Sequence, residues 1–157
     1  MKIIKLTETN DGYTIDSHGY PDYVRKIKHL LPQNIYEFMS SAWHYDPSDP
    51  RCLHDARIKS VRFEEHEINE HYTNTAHITL TGAYGNVLTL TYLEVSSYSI
   101  EKKTTEWPAN QSTHGDLIVD EMTAVENTNK FQHELIFEDA TIKITFEHFD
   151  FKIDNHA

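Results

Sequence analysis

The spacing of apolar residues divides the chain into a helical part and a strand-rich part, and the change falls near Asp55. Before that point apolar side chains recur at intervals of three and four residues, which is typical of one face of an α-helix. The clearest stripe consists of Ile35, Phe38, Met39, Ala42 and Trp43. A proline suits the first turn of a helix. The pattern therefore predicts a helix from Pro32 to His44, after a shorter helical stretch from Tyr23 to Leu31.

After Asp55 apolar and polar positions alternate, as they do along strands that bury one face. A glycine-containing loop at 82–86 separates two such segments and predicts a hairpin. If Thr81 pairs with Val87, three apolar pairs share one face. These pairs are Ala76 with Tyr92, Ile78 with Leu90 and Leu80 with Leu88. The alternation also slips near Ser60, which predicts a β-bulge there.

A second hairpin is predicted near the end of the chain, with Asp139-Ala140 as its turn and Glu138 paired with Thr141. This register places Phe137 opposite Ile142, Leu135 opposite Ile144 and His133 opposite Phe146. Further strands are predicted at 2–6, 95–101 and 117–125, and a long loop from Lys102 to His114. The order of elements predicts an α+β fold. We expect N-terminal helices packed on a twisted antiparallel meander of about seven strands, which a strong twist can curl into a half-barrel.

Length and composition indicate one domain over residues 1–157, since the chain has the commonest size of a single domain. Its only cysteine, Cys52, excludes an internal disulfide framework. The first residues lack the apolar run of a secretory signal, and no stretch approaches the ~20 apolar residues of a membrane span. We therefore expect a cytoplasmic protein without a membrane partner.

The formal net charge is -11, from 14 basic and 25 acidic residues. Because phosphate backbones attract basic surfaces, this charge disfavours nucleic-acid binding. It favours a basic protein partner, although solubility alone is the simpler explanation. The densest acidic run holds Glu64, Glu65, Glu67 and Glu70, which we expect to form a partner-facing acidic surface beside the first hairpin.

Five residues are candidates for a ligand pocket between helix and sheet: Trp43, His54, Asp55, His133 and His148. A histidine oriented by a carboxylate can act as a general base, but adjacent residues on a strand point to opposite faces. His133 and His148 lie on the predicted apolar face of the last hairpin, where a paired core histidine is the simpler interpretation.

Other chemistry-bearing residues favour structural roles. Cys52 with a neighbouring histidine as base would make a nucleophile, but a lone cysteine is more often simply buried. Asp116 and Asp120, where a loop enters the predicted strand, can share one face, but they lack a partner motif. Histidines and glutamates around 64–71 lack the spacing of a helical metal site. We predict no metal, no cofactor and no catalytic residue.

The segments His54-Asp55-Ala56 and Gly115–Glu121, followed by a hairpin over 136–146, resemble a set of small bacterial proteins. The resemblance spans 31–150, and those proteins are similar to immunity proteins of toxin systems in size, acidity and lack of catalytic motifs. It implies no activity. Two functions follow as expectations: a non-enzymatic protein-binding module, such as an immunity protein against a basic toxin, or a small-ligand-binding protein or enzyme.

Overall fold

The computed structural model describes residues 1–104 and 112–155, where it has ten strands, two α-helices and two 3₁₀ helices. The helices are α1 Tyr20–Ile27 and α2 Gln33–Ser40, and the 3₁₀ helices are Lys28–Leu30 and Ala42–Tyr45. The strands are β1 Lys5–Thr9, β2 Gly12–Asp16, β3 Arg57–Ile68, β4 His71–Thr81, β5 Val87–Leu93, β6 Ser97–Lys102, β7 Leu117–Ala124, β8 Phe131–Phe137, β9 Ala140–Phe146 and β10 His148–Asp154. The predicted loop from Lys102 to His114 lies largely outside the described residues.

The strands form three antiparallel sheets, which confirms the α+β class. One is the β1–β2 hairpin, and the other two have the strand orders β10-β5-β4-β3 and β6-β9-β8-β7. The predictions of an N-terminal helix and of one seven-stranded meander are wrong. A hairpin precedes the helices, and most of its side chains are exposed. Its sequence therefore lacks the apolar alternation that marks the buried strands.

The chain crosses between the two four-stranded sheets twice, at 94–96 and at Glu147. Both crossings run side by side, because the Glu147 N–H donates to the Leu93 carbonyl at 3.1 Å and the Ser96 N–H donates to the Thr145 carbonyl at 2.9 Å. The buried positions change from even to odd numbers at this corner, from Phe146 to Phe149. The alternation of β9 therefore does not continue into β10.

The predicted register of the first hairpin is confirmed, with Ala76 paired with Tyr92. The bulge near Ser60 is confirmed as well. The predicted register of the last hairpin is wrong by two residues: His133 pairs with Ile144, because the turn is Glu138-Asp139 rather than Asp139-Ala140. A shift by two keeps every side chain on the same face, so the predicted buried face is nevertheless correct.

The apolar faces of the two four-stranded sheets enclose the core, and the helices close it along β7 and β10. Phe38 of α2 packs on Phe149 of β10, with ring centroids 4.7 Å apart. Along β7, Tyr20 donates its hydroxyl hydrogen to the Met122 carbonyl at 2.7 Å, and Tyr23 accepts the Ala124 N–H at 2.9 Å. These hydroxyls satisfy backbone groups that an edge strand would otherwise leave unpaired. Among the described residues no helix has the length and apolarity needed to cross a membrane.

Candidate functional site

The two segments that stand out in the sequence, 43–56 and 115–121, meet in the structure. The Asp55 N–H donates to the Leu117 carbonyl at 2.9 Å, and the Leu117 N–H donates to the Ala56 carbonyl at 2.8 Å. Beside them, Arg57 Nε donates to Asp116 Oδ1 at 2.6 Å. This short backbone ladder fixes the start of β3 against the start of β7, and it holds the polar groups of both segments in one place.

A buried polar network lies directly behind this junction, centred on Asp120 of β7. Its Oδ2 atom is 2.8 Å from His44 Nε2 and 2.7 Å from His133 Nε2. His44 belongs to the second 3₁₀ helix and His133 to β8, and none of the three residues is more than 2% exposed. On the far side, His133 Nδ1 is 2.7 Å from the hydroxyl of Tyr92 in β5, which links both four-stranded sheets.

The hydrogen-bond partners of the His44 ring define which of its nitrogens carry hydrogen. His44 Nδ1 is 2.7 Å from the Phe38 carbonyl, which only accepts hydrogen bonds, so this nitrogen carries hydrogen. An ionised Asp120 also only accepts, so His44 Nε2 carries hydrogen too and the ring is an imidazolium. His133 donates from Nε2 to Asp120, and its Nδ1 shares a hydrogen bond with the Tyr92 hydroxyl, which can donate or accept. The network therefore contains a buried ion pair between Asp120 and His44, with His133 as a second donor to the carboxylate.

The electrostatics agree with this assignment. Burial by itself opposes ionisation of Asp120, but electrostatic attraction from His44, hydrogen bonds from both histidines and electrostatic attraction from His133 hold its pKa well below the usual range. Burial likewise opposes protonation of His44, yet Asp120 and the Phe38 carbonyl raise the pKa of this ring above its ordinary value. Each member of the pair thus stabilises the charged form of the other.

A bulge in β7 places Asp120 in the core. The register against β8 shifts between Leu117 and Val119, so Ile118 is the extra residue. Asp120 then lies on the inward face and Glu121 on the outward face, where its carboxylate accepts the backbone N–H groups of residues 2–4 at 2.6–2.8 Å. Asp116 and Asp120, which the sequence placed on one face, are separated because the bulge intervenes.

A cavity of about 210 Å³ adjoins this network. Its lining is mainly apolar and comes from β7, the second 3₁₀ helix, the following turn and the end of β2. Asp120, His44, Cys52 and His54 contribute the polar groups of the wall. Cys52 donates its thiol hydrogen to the His44 carbonyl at 3.2 Å, and burial raises the pKa of this thiol to about 11. The thiol is therefore protonated and unsuited to nucleophilic attack.

The five predicted pocket residues do not converge. Trp43 lines a separate groove, where it stacks on Phe151 with the ring centroids 5.2 Å apart. Of the predicted five, only His54 lines the cavity beside Asp120. His133 is a paired core histidine. The predicted inward position of His148 is wrong, because the corner at Glu147 reverses the alternation and exposes it.

His54 and Asp55 do approach one another, contrary to the expectation from strand geometry. They lie in a turn before β3, with Asp55 at φ 64°, and His54 Nδ1 is 3.2 Å from Asp55 Oδ1. The contact lacks hydrogen-bond alignment, so His54 Nδ1 is buried without a hydrogen-bond partner among the described residues. The carboxylate of Asp55 is 57% exposed, so the aspartate end of this pair faces solvent while His54 lines the cavity.

The four glutamates of the predicted acidic surface lie on the outer half of the β3–β4 hairpin. Glu65 and Glu67 share the face of Phe63, whereas Glu64 faces the other way. There Glu64 pairs with Arg62 at 2.5 Å and with His66 at 3.4 Å. Glu70 is exposed in the turn.

Sequence reasoning missed His44 and Asp120 as partners. One signal was available: Asp120 and His133 are polar residues at positions that alternate with apolar ones on two strands joined by a short connection. Two polar groups on one buried face of neighbouring strands indicate a pair, because buried polar groups need partners. Nothing in the local sequence of His44 indicates that it completes the network.

The described residues contain no group of three or more histidine, cysteine, aspartate or glutamate side chains arranged to hold a metal ion. Comparisons of the chain with family models, curated protein sequences and solved structures found no match. The resemblance to immunity proteins therefore stays a prediction, and function is argued from the geometry alone.

Proposed function

We propose that this protein is a non-enzymatic binding module for a basic protein, as an immunity protein that neutralises a basic toxin would be. The observation that carries the proposal is the outer half of the β3–β4 hairpin, residues 64–75, which we call the arm. β3 and β4 pair up to Ile68 and His71, whereas β5 pairs with β4 only from Ala76 onward. The arm therefore extends beyond the β4–β5 pairing, and at its base the Val95 N–H donates to the Asn74 carbonyl at 2.9 Å.

The arm combines exposed apolar side chains with carboxylates. Tyr72 is 69% exposed and Ile68 is 65% exposed, and they lie on opposite faces of the hairpin. Glu67 is directly across from Tyr72, and Glu65 is two positions along the same face. Interfaces commonly have an aromatic anchor surrounded by polar groups, so the face of Tyr72 fits a basic partner surface.

The buried network argues against an enzyme. His44 and Asp120 are the strongest acid–base pair of the site, but protein partners engage both ring nitrogens of His44 and the Oδ2 atom of Asp120, and both residues are almost fully buried. A general base must reach the proton that it abstracts. Glu65, Glu67 and Tyr72 of the arm, by contrast, are exposed to solvent. Long-range attraction by the carboxylates would speed the encounter with a basic protein.

The test uses surface plasmon resonance at several salt concentrations to measure association with a basic candidate partner. The candidate is the product of the gene beside that of this chain. Glu65→Lys/Glu67→Lys should lower the on-rate about tenfold at low salt, with a small effect on the off-rate. Glu8→Lys/Asp11→Lys is the matched control, because it makes the same change of net charge on the exposed β1–β2 hairpin. Poly-lysine serves as the probe for non-specific attraction.

Tyr72→Ala separates the anchor from the charge. It should raise the off-rate and weaken the affinity by about thirtyfold, as loss of an aromatic anchor does. Two outcomes contradict the proposal: an on-rate that is independent of salt and of both charge reversals, or an affinity that Tyr72→Ala leaves unchanged. Equal effects of the two double reversals would reduce the role of the arm to general charge.

A further inference from the structure

We propose that the cavity beside Asp120 is a binding site for a small, mainly apolar molecule that donates one hydroxyl hydrogen to the Oδ1 atom of this carboxylate. The site is distinct from the arm and does not depend on the proposed protein partner. It rests on the volume of the cavity, on a carboxylate oxygen to which no described residue donates, and on the charge of its surroundings.

The acceptor is the second oxygen of Asp120. Both histidines contact Oδ2, whereas no donor of the described residues forms a hydrogen bond with Oδ1. Asp120 lines the cavity and is only 2% exposed. Carboxylate oxygens inside proteins normally accept hydrogen bonds from the chain or from a bound molecule, so an oxygen without a donor beside an open volume can take one from a ligand.

The volume and lining define the size and polarity of the molecule. The cavity measures about 210 Å³. An apolar cavity of about 150 Å³ is enough to hold benzene. Its apolar wall includes Tyr45, Leu117, Ile118 and Val119. A single aromatic ring or a short branched alkyl group therefore fits this space.

The neighbouring charge favours a hydroxyl over an ammonium group. His44, which also lines the cavity, is an imidazolium 2.8 Å from the other oxygen of the same carboxylate. That ring would repel a cationic ligand. A neutral hydroxyl group is not repelled, and it can donate its hydrogen to Oδ1. Phenol and toluene are matched probes because they have the same shape and differ only in the donor.

The mouth of the cavity is formed in part by Ser17, which follows β2 and is partly exposed. Ser17→Trp should fill this entrance. The matched control is Thr14→Trp, an exposed position of β2 that does not line the cavity. Neither side chain forms a hydrogen bond with another described residue, so both variants should fold.

The experiment is a titration of the full chain with phenol and, separately, with toluene. Binding is monitored through the ¹H–¹⁵N chemical shifts of the backbone amides. We expect saturable phenol binding with shifts centred on residues 117–120 and 15–17. Phenol should bind about tenfold more tightly than toluene, the effect of one hydrogen bond to a charged acceptor. Ser17→Trp should abolish the binding and Thr14→Trp should leave it unchanged.

Three results would overturn the proposal. They are phenol shifts that do not saturate, shifts centred on the groove of Trp43 and Phe151, or equal affinities for phenol and toluene. The dispersion of the amide signals shows whether Ser17→Trp folds. If it does not fold, the proposal is still tested by two measurements on the unmodified chain: the residues whose shifts change, and the ratio of the phenol and toluene affinities.

Discussion

Replacing His44 with leucine removes the ring that balances the charge of Asp120 and keeps a buried side chain of similar size. Among the described residues, the Asp120 side chain then retains only His133 as its hydrogen-bond partner. Removal of one member of a buried ion pair destabilises a protein by about 3–5 kcal/mol. Burial of the leucine side chain contributes about 1.5–3 kcal/mol in the opposite direction. Central values of about 4 and about 2 kcal/mol leave an expected net loss of about 2 kcal/mol.

The assay is a urea titration near pH 6, with the free energy of unfolding compared at unchanged m-value. His148→Leu is the matched control, because this histidine is exposed and makes none of the buried contacts. It should change stability by less than about 0.5 kcal/mol. An unchanged or higher free energy of unfolding in His44→Leu would refute the buried ion pair, because an uncompensated carboxylate in the core must be costly.

The pH dependence of stability provides a second readout of the same pair. The pKa of Asp120 is lowered on folding, so its contribution is present above the unfolded value of about 4 and is lost as the pH falls further. The pKa of His44 is raised, so its contribution is complete below about 6.5 and is lost as the pH rises through the folded value. Stability from the pair should therefore peak between these limits. Superimposable pH profiles for His44→Leu and the unmodified chain would contradict this account.

Two further predictions concern the core and the thiol. Phe146 is fully buried and its ring centroid is 5.0 Å from that of Tyr92, so Phe146→Ala should lower the free energy of unfolding by about 3–5 kcal/mol in a urea titration. A loss below about 1 kcal/mol would mean that Phe146 is not a core residue. Burial raises the pKa of Cys52 to about 11, so iodoacetamide should label the native protein slowly near pH 7 and the urea-unfolded protein quickly, as followed by mass spectrometry. Rapid labelling of the native protein would contradict the buried, protonated thiol.

Local patterns in the sequence determined most of the strands and one complete register. In the β4–β5 hairpin, alternation and loop length together specify the pairing of Ala76 with Tyr92, because a shift by one residue would turn every apolar side chain outward. In the last hairpin the same reasoning identified the buried face but not the turn. Two turns that differ by one position bury the same residues, so alternation cannot distinguish them.

The β1–β2 hairpin and the corner at Glu147 show where local patterns fail. The hairpin buries little surface, so its side chains are not selected for alternation. At the corner the chain leaves one sheet for the other, and the orientation of the residues after it depends on the second sheet. His148 is exposed for this reason, although it continues the alternation of β9.

The sequence by itself thus determined the α+β class, the antiparallel pairing and the inward faces of the main strands, because those features depend on neighbouring residues. Only the tertiary structure decided that His44 meets Asp120, 76 positions away. That contact requires the bulge at Ile118, which turns the carboxylate inward, and the short helix that brings the ring to β7. The local sequence around a polar side chain does not indicate which distant residue it will contact. The order of the strands and the packing of the helices determine that partner.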